Sequence, residues 1–125
     1  MKLIIGGAFQ GKTEYAKNRY SVKQWADGRV CPWDEIFRAE GIHHFHEYVR
    51  RMLTEGLDPA DAAQRLCQEN KDVVIVTNEL GYGVVPVEAF DRKYRETTGR
   101  ICTKLAEQSS EVVRVICGIG QVIKG

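Results

Sequence analysis

Residues 6–13 read Gly-Gly-Ala-Phe-Gln-Gly-Lys-Thr, and this stretch decides the fold. Gly6, Gly11, Lys12 and Thr13 fit the spacing G-x-x-x-x-G-K-[ST] of a phosphate-binding P-loop. Each fixed position has a physical reason. Gly6 and Gly11 permit positive φ and let bare backbone approach a polyphosphate. The amides from Gly7 through Ala8, Phe9, Gln10, Gly11 and Lys12 to Thr13 are expected to converge as an anion nest at a helix N-terminus. Lys12 would bring a point charge to the β and γ phosphates, and the Thr13 hydroxyl would ligate Mg²⁺. The implied ligands are ATP or GTP with Mg²⁺.

The flanks suit the motif. Lys2-Leu3-Ile4-Ile5 reads as a short buried strand, and Lys12 to about Tyr20 as a helix carrying Tyr15, Ala16 and Tyr20 on or near one face. Further on, Asp72 to Thr77 contains four consecutive β-branched apolar residues without alternation. Such a strand is covered on both faces, as in a parallel sheet. Ligands of open α/β sheets sit beyond the carboxyl ends of strands, so Glu79, just past this one, is expected in the crevice beside the P-loop. There its carboxylate would orient or deprotonate an acceptor hydroxyl, or support Mg²⁺.

The remaining elements follow from periodicity and punctuation. Ala26-Asp27-Gly28-Arg29 reads as a turn, and Asp34 as a helix cap. Apolar positions from Ile36 to Leu53 have helical spacing, broken in two at Gly41. Asp58-Pro59 starts a helix that runs to about Glu69, with Asp58 as N-cap. A turn is expected at Gly81 and Gly83, then a long helix from Val87 to Gln108 burying Phe90, Tyr94, Ile101 and Leu105. Gly99 weakens that helix by about 1 kcal/mol relative to alanine. Glu111 to Cys117 is a strand, and Gln121 to Lys124 an antiparallel edge. The fold class is therefore α/β: a P-loop NTPase domain spanning residues 1–125, with a mostly parallel sheet flanked by helices and an antiparallel C-terminal edge.

Composition narrows the function. A formal charge of +1 gives no electrostatic case for nucleic acid or a membrane surface. The four cysteines, Cys31, Cys67, Cys102 and Cys117, are widely spaced with no C-x-x-C pair. Free thiols in a reducing cytoplasm are the expectation. Apolar runs are strand-sized, so no membrane span is expected.

His43, His44 and His46 form a cluster. On a helix His43 and His46 share a face at i, i+3, which a metal or a nucleotidyl intermediate could use. Covalent chemistry at His46 would need a neutral imidazole and a nearby cation for the departing pyrophosphate, for which Arg50 is available.

Two blocks together resemble one family. LIIGGAFQGKTEYA at the start is similar to the P-loop of the adenosylcobinamide kinase / adenosylcobinamide-phosphate guanylyltransferases. VVIVTNELGYGVVP, the long basic helix with Tyr94-Arg95 and Gly99-Arg100, and the closing CGIGQVIKG resemble the same family more specifically. The resemblance covers residues 1–20 and 71–125, and implies a shortened member with a RecA-like P-loop domain. It further implies phosphorylation of the aminopropanol hydroxyl of adenosylcobinamide by ATP or GTP. In bifunctional members GMP is then transferred through a guanylylated histidine. By this resemblance Gly6, Gly11, Lys12 and Thr13 hold the triphosphate and Mg²⁺, with Asn78 and Glu79 facing the crevice. His46 and Arg50 have the spacing of the family's H-x-x-x-R segment, though its following Pro and Trp are replaced by Arg51-Met52-Leu53 and beyond. The partners implied are a nucleotide and an adenosylcobinamide-like acceptor. A homo-oligomer is also expected, through apolar helix faces such as that of Phe45 and Val49.

Overall fold

A computed structural model describes residues 1–80 and 87–125. Its centre is a six-stranded sheet of order β2-β3-β4-β1-β5-β6. The strands are β1 (Lys2–Gly6), β2 (Trp25–Asp27), β3 (Gly41–His43), β4 (Val74–Asn78), β5 (Glu111–Ile116) and β6 (Ile119–Lys124). The first five run parallel, and β6 returns antiparallel to β5. Both the mostly parallel sheet and the antiparallel C-terminal edge agree with the sequence reading.

β1 lies between β4 and β5, with Ile4 opposite Val76 on one side and Val113 on the other. Its two faces feed separate cores. One side packs Leu3, Ile42, Val73, Ile75 and Val112 against residues of α2 (Phe45–Thr54), α3 (Pro59–Glu69) and α4 (Ala89–Gln108). The other packs Ile4, Val74, Val76, Val113 and Val115 against Ala16 of α1 (Lys12–Arg19). Burial of each such aliphatic side chain is worth about 1.5–3 kcal/mol, so the unalternated apolar strands hold the sandwich together. Asp58 caps α3 by accepting a hydrogen bond from the Ala60 amide at 3.0 Å. The hairpin between β5 and β6 turns on Cys117 (φ 51°) and Gly118 (φ 77°), the left-handed pair of a two-residue turn matched to strand twist.

Four expectations are corrected. Ala26 and Asp27 belong to β2 rather than to a turn, which starts at Gly28. The helical reading from Ile36 to Leu53 gives way to a 3₁₀ turn at Glu35–Phe37, then β3, then α2. Gly41 does break the pattern, but as a strand residue: a Cβ there would lie 2.7 Å from the Trp25 ring. Phe45 and Val49 are core residues, each about 1% exposed, and offer no interface. They face the sheet because β3 delivers α2 directly onto it. Phe90, expected in the core, is exposed at the start of α4. The expected turn at Gly81 and Gly83 lies outside the described residues.

Candidate functional site

At the carboxyl end of β1 the chain leaves the sheet through Gly6 and re-enters regular structure at Lys12. Gly11 takes φ 80°, a left-handed value that releases the chain into α1. Gly6 does not use positive φ, and its need is space: a Cβ would sit 2.6 Å from the Val115 carbonyl oxygen. Phe9 at the loop tip has φ 59° and is fully exposed.

The loop is anchored from outside. Gln10 accepts the Gly118 amide on its backbone carbonyl at 2.8 Å and the Cys117 amide on its side-chain oxygen at 2.7 Å. The loop thus rests on the β5–β6 turn. Sequence reasoning missed this clamp, whose partners lie more than a hundred positions apart.

Lys12 is only 8% exposed. Its Nζ donates to the Gly7 carbonyl at 2.7 Å, across the mouth of its own loop. Burial pulls its pKa down, and the Glu79 carboxylate opposes that shift. Ala8, Phe9, Gln10, Gly11, Lys12 and Thr13 line a cavity of about 350 Å³, whose other wall is His44, His46, Val76, Thr77 and Asn78. Glu14 of α1 completes the rim.

His46 meets the P-loop here although 34 positions separate it from Lys12. It lies in the first turn of α2, is 6% exposed, and accepts the Asn78 amide on Nδ1 at 3.1 Å. That bond fixes the proton on Nε2. Burial first, then the charges of His44 and Lys12, push its pKa down to about 4, so the ring is neutral at pH 7. His43 and His46 do not share a helical face. His43 ends β3, and His44, at φ 53°, turns the chain into α2.

Glu79 is held close by but differently oriented. Its amide donates to the Gly6 carbonyl at 2.7 Å. Its carboxylate takes a two-pronged bond from Arg114, Nε at 2.9 Å and Nη2 at 2.8 Å. Glu79 is not among the residues lining the cavity. Its charge reaches Lys12 across the strand ends. Arg50, one helical turn beyond His46, lies over the rings of Phe90 and Tyr94 and is not among the residues lining the cavity.

Residues 47–123 match the family model described as cobinamide kinase / cobinamide phosphate guanyltransferase. The chain belongs to this family. The cobinamide kinase / guanyltransferase match runs from α2 through β6, and the P-loop before it stands on its own residue pattern. Among curated relatives, the bifunctional adenosylcobalamin biosynthesis protein CobU of Salmonella typhimurium is 46% identical over 76 residues, 61% of this chain and 41% of that protein. Its Escherichia coli namesake is 46% identical over 52 residues, 42% of this chain and 29% of the relative. The bifunctional protein CobP of Pseudomonas aeruginosa is 32% identical over 53 residues, 42% of this chain and 31% of the relative. The chain therefore aligns with less than half the length of each of these family members. No helix among the described residues is long and apolar enough to cross a membrane.

Proposed function

We propose that this chain is a P-loop kinase of the cobinamide type, a single nucleotide-binding domain that phosphorylates the aminopropanol hydroxyl of adenosylcobinamide with ATP or GTP. The observation that carries the reading is the cavity in which the loop amides and Lys12 face His46 and Asn78. Phosphoryl transfer asks a protein chiefly for positioning and charge neutralisation. In the proposal the loop amides grip the triphosphate, and Lys12 leaves Gly7 to steady its terminal oxygens. Thr13 fits Mg²⁺ as a hydroxyl at the first turn of α1, and that ion would neutralise charge between the phosphates. His46, with Nδ1 occupied and Nε2 protonated, serves as a neutral hydrogen-bond donor to phosphate. The same tautomer disfavours guanylyl transfer through this ring, because attack needs a free nitrogen lone pair.

Glu79 is the carboxylate assigned to the acceptor hydroxyl, and would have to release Arg114 to reach it. That requirement favours a second reading, a nucleotide-binding module without transferase activity: apart from Glu14 on the rim, no carboxylate lines the cavity among the described residues. The expected setting is the cytoplasm, consistent with four free cysteines. We further propose that copies associate through β6, whose Ile119, Val122 and Ile123 are exposed.

Incubation with γ-labelled ATP or GTP, with and without adenosylcobinamide, tests the proposal. Labelled cobinamide phosphate supports the kinase. Mg²⁺-dependent nucleotide binding with no transfer supports the module. Absence of both overturns the site itself.

A further inference from the structure

Beside the nucleotide cavity, the carboxyl ends of β2 and β3 bring together three groups that the kinase reading leaves unused. They are Asp27, His43 and His44, whose ligating atoms lie within 4.8 Å of one another. His43 Nδ1 and His44 Nδ1 are 2.6 Å apart, and Asp27 Oδ1 is 4.0 Å from the first and 3.9 Å from the second. We propose that this triad is a binding site for a divalent transition-metal ion of the zinc and cobalt class.

The donor set chooses the ion. Two imidazoles and one carboxylate suit Zn²⁺, Co²⁺ or Ni²⁺, whereas Mg²⁺ and Ca²⁺ prefer an all-oxygen shell. Three protein ligands with an open position is also the pattern of zinc sites that exchange a fourth ligand. The distances are close to those required. With metal–nitrogen bonds of about 2.0–2.1 Å, tetrahedral donors stand roughly 3.4 Å apart. Asp27 Oδ1 must therefore approach by about half an ångström and the two rings part by under ~1 Å, both within ordinary side-chain motion.

Protonation allows it as well. Two Nδ1 atoms this close share one proton, one donating and the other accepting. An ion between them replaces that proton, which moves to Nε2 of the same ring, so two neutral rings take up the metal with no net proton release. Burial lowers the pKa of both His43 and His44, and the Arg29 partner holds Asp27 at about 2. At neutral pH all three are in their ligating forms.

The scaffold holds the donors in place. The Gly28 amide donates to the His43 carbonyl at 2.8 Å, and a Cβ on Gly28 would lie 2.2 Å from the His44 carbonyl oxygen. Only glycine allows the two chain segments to meet this closely. Trp25 packs against the His43 ring edge-on. Arg29 grips both oxygens of Asp27, Nε at 3.0 Å from Oδ1 and Nη2 at 2.9 Å from Oδ2. On metal binding the Nε contact yields, and the Nη2 bond continues to orient the carboxylate, as outer partners do in metal sites. Because His44 also lines the nucleotide cavity, an ion on the triad sits one side chain from that pocket.

The test is titration of the metal-free full chain with Co²⁺ and Zn²⁺, followed by calorimetry, the cobalt visible spectrum and imidazole nitrogen NMR. The expected result is one saturable equivalent with micromolar affinity and shifted His43 and His44 ring signals. His43→Ala and Asp27→Asn should each weaken binding at least about tenfold. Lys12→Ala should leave it unchanged, which separates this site from failure of the P-loop. The ring signals are read on the unaltered protein, so the outcome does not depend on the variants folding. Lack of saturable binding, unmoved His43 and His44 signals, or a cobalt–thiolate band tracing the ion to Cys117 would overturn the proposal.

Discussion

The Asn78 amide donates to Nδ1 of His46 at 3.1 Å, tying the carboxyl end of β4 to the first turn of α2. A buried imidazole used as an acceptor is lost once it is protonated. The folded ring has a pKa of about 4, against 6.5 for the free side chain. Because the folded value is depressed, the unfolded chain binds this proton first. Stability is therefore fully present above about pH 6.5 and falls as the pH drops toward 4, by about 3 kcal/mol for a shift of this size. Thermal unfolding followed by calorimetry from pH 7.5 to 4 should show this loss, and His46→Gln should flatten it.

Lys12→Ala should cost nucleotide affinity far more than stability. The ammonium contributes one hydrogen bond to Gly7 in the folded chain and is buried at a desolvation cost. Calorimetry with a non-hydrolysable ATP or GTP analogue and Mg²⁺ should show a loss of at least about tenfold, equivalent to one charge-assisted contact of roughly 1.5–3 kcal/mol. An unfolding midpoint that stays within a few degrees would confirm that the loop, not the fold, was damaged.

Two glycines should respond in opposite directions. Gly6→Ala places a methyl 2.6 Å from the Val115 carbonyl oxygen, a backbone atom, with the Lys12 side chain 3.2 Å away, and should destabilise by about 1–3 kcal/mol. Gly99 sits inside α4 with nothing within 4 Å of an added Cβ. Gly99→Ala should stabilise by about 1 kcal/mol, since the helix gains propensity and the unfolded chain loses freedom. Urea titrations of the two variants would settle the signs.

Glu79→Gln distinguishes a chemical carboxylate from a structural one. As the group that receives the acceptor proton, its loss should lower kcat by about 10²–10⁴ with little change in nucleotide KM. As the partner of Arg114 alone, its loss should cost about 1–2 kcal/mol of stability, and Arg114→Ala added on top should cost little more. Steady-state kinetics and a double-mutant unfolding cycle read the two outcomes separately.

Association through β6 should be visible by analytical ultracentrifugation as a species heavier than one chain. Val122→Lys with Ile123→Lys places two charges on the exposed strand and should return it to monomer. Phe45→Ala, by contrast, removes core volume and should unfold the chain rather than dissociate it, at about 3–5 kcal/mol.

Much of this architecture could be read from local pattern. β1 and the P-loop, the capped α3, the apolar β4, and the β5–β6 hairpin each carry their signal within a few residues. β2 and β3 do not: each is three residues long, too short for periodicity, and forms because neighbouring strands accept it. His43, His44 and His46 read as one helical face only if the backbone is helical throughout. The left-handed turn at His44 sends His43 to Asp27 and His46 to the P-loop. Glu79, expected to face the crevice, does not line the cavity: its carboxylate is held by Arg114 on β5 across β1, a pairing that only sheet order reveals.

The clamp between Gln10 and the Cys117–Gly118 turn has a consequence for biosynthesis. The two outside supports of the loop are translated more than a hundred residues after the loop itself. Its own strand likewise waits for β4 and β5 to flank it. A nascent chain stalled before residue 117 holds the complete motif in covalent form without the shape proposed to grip phosphate, so competence would arrive late, with the hairpin.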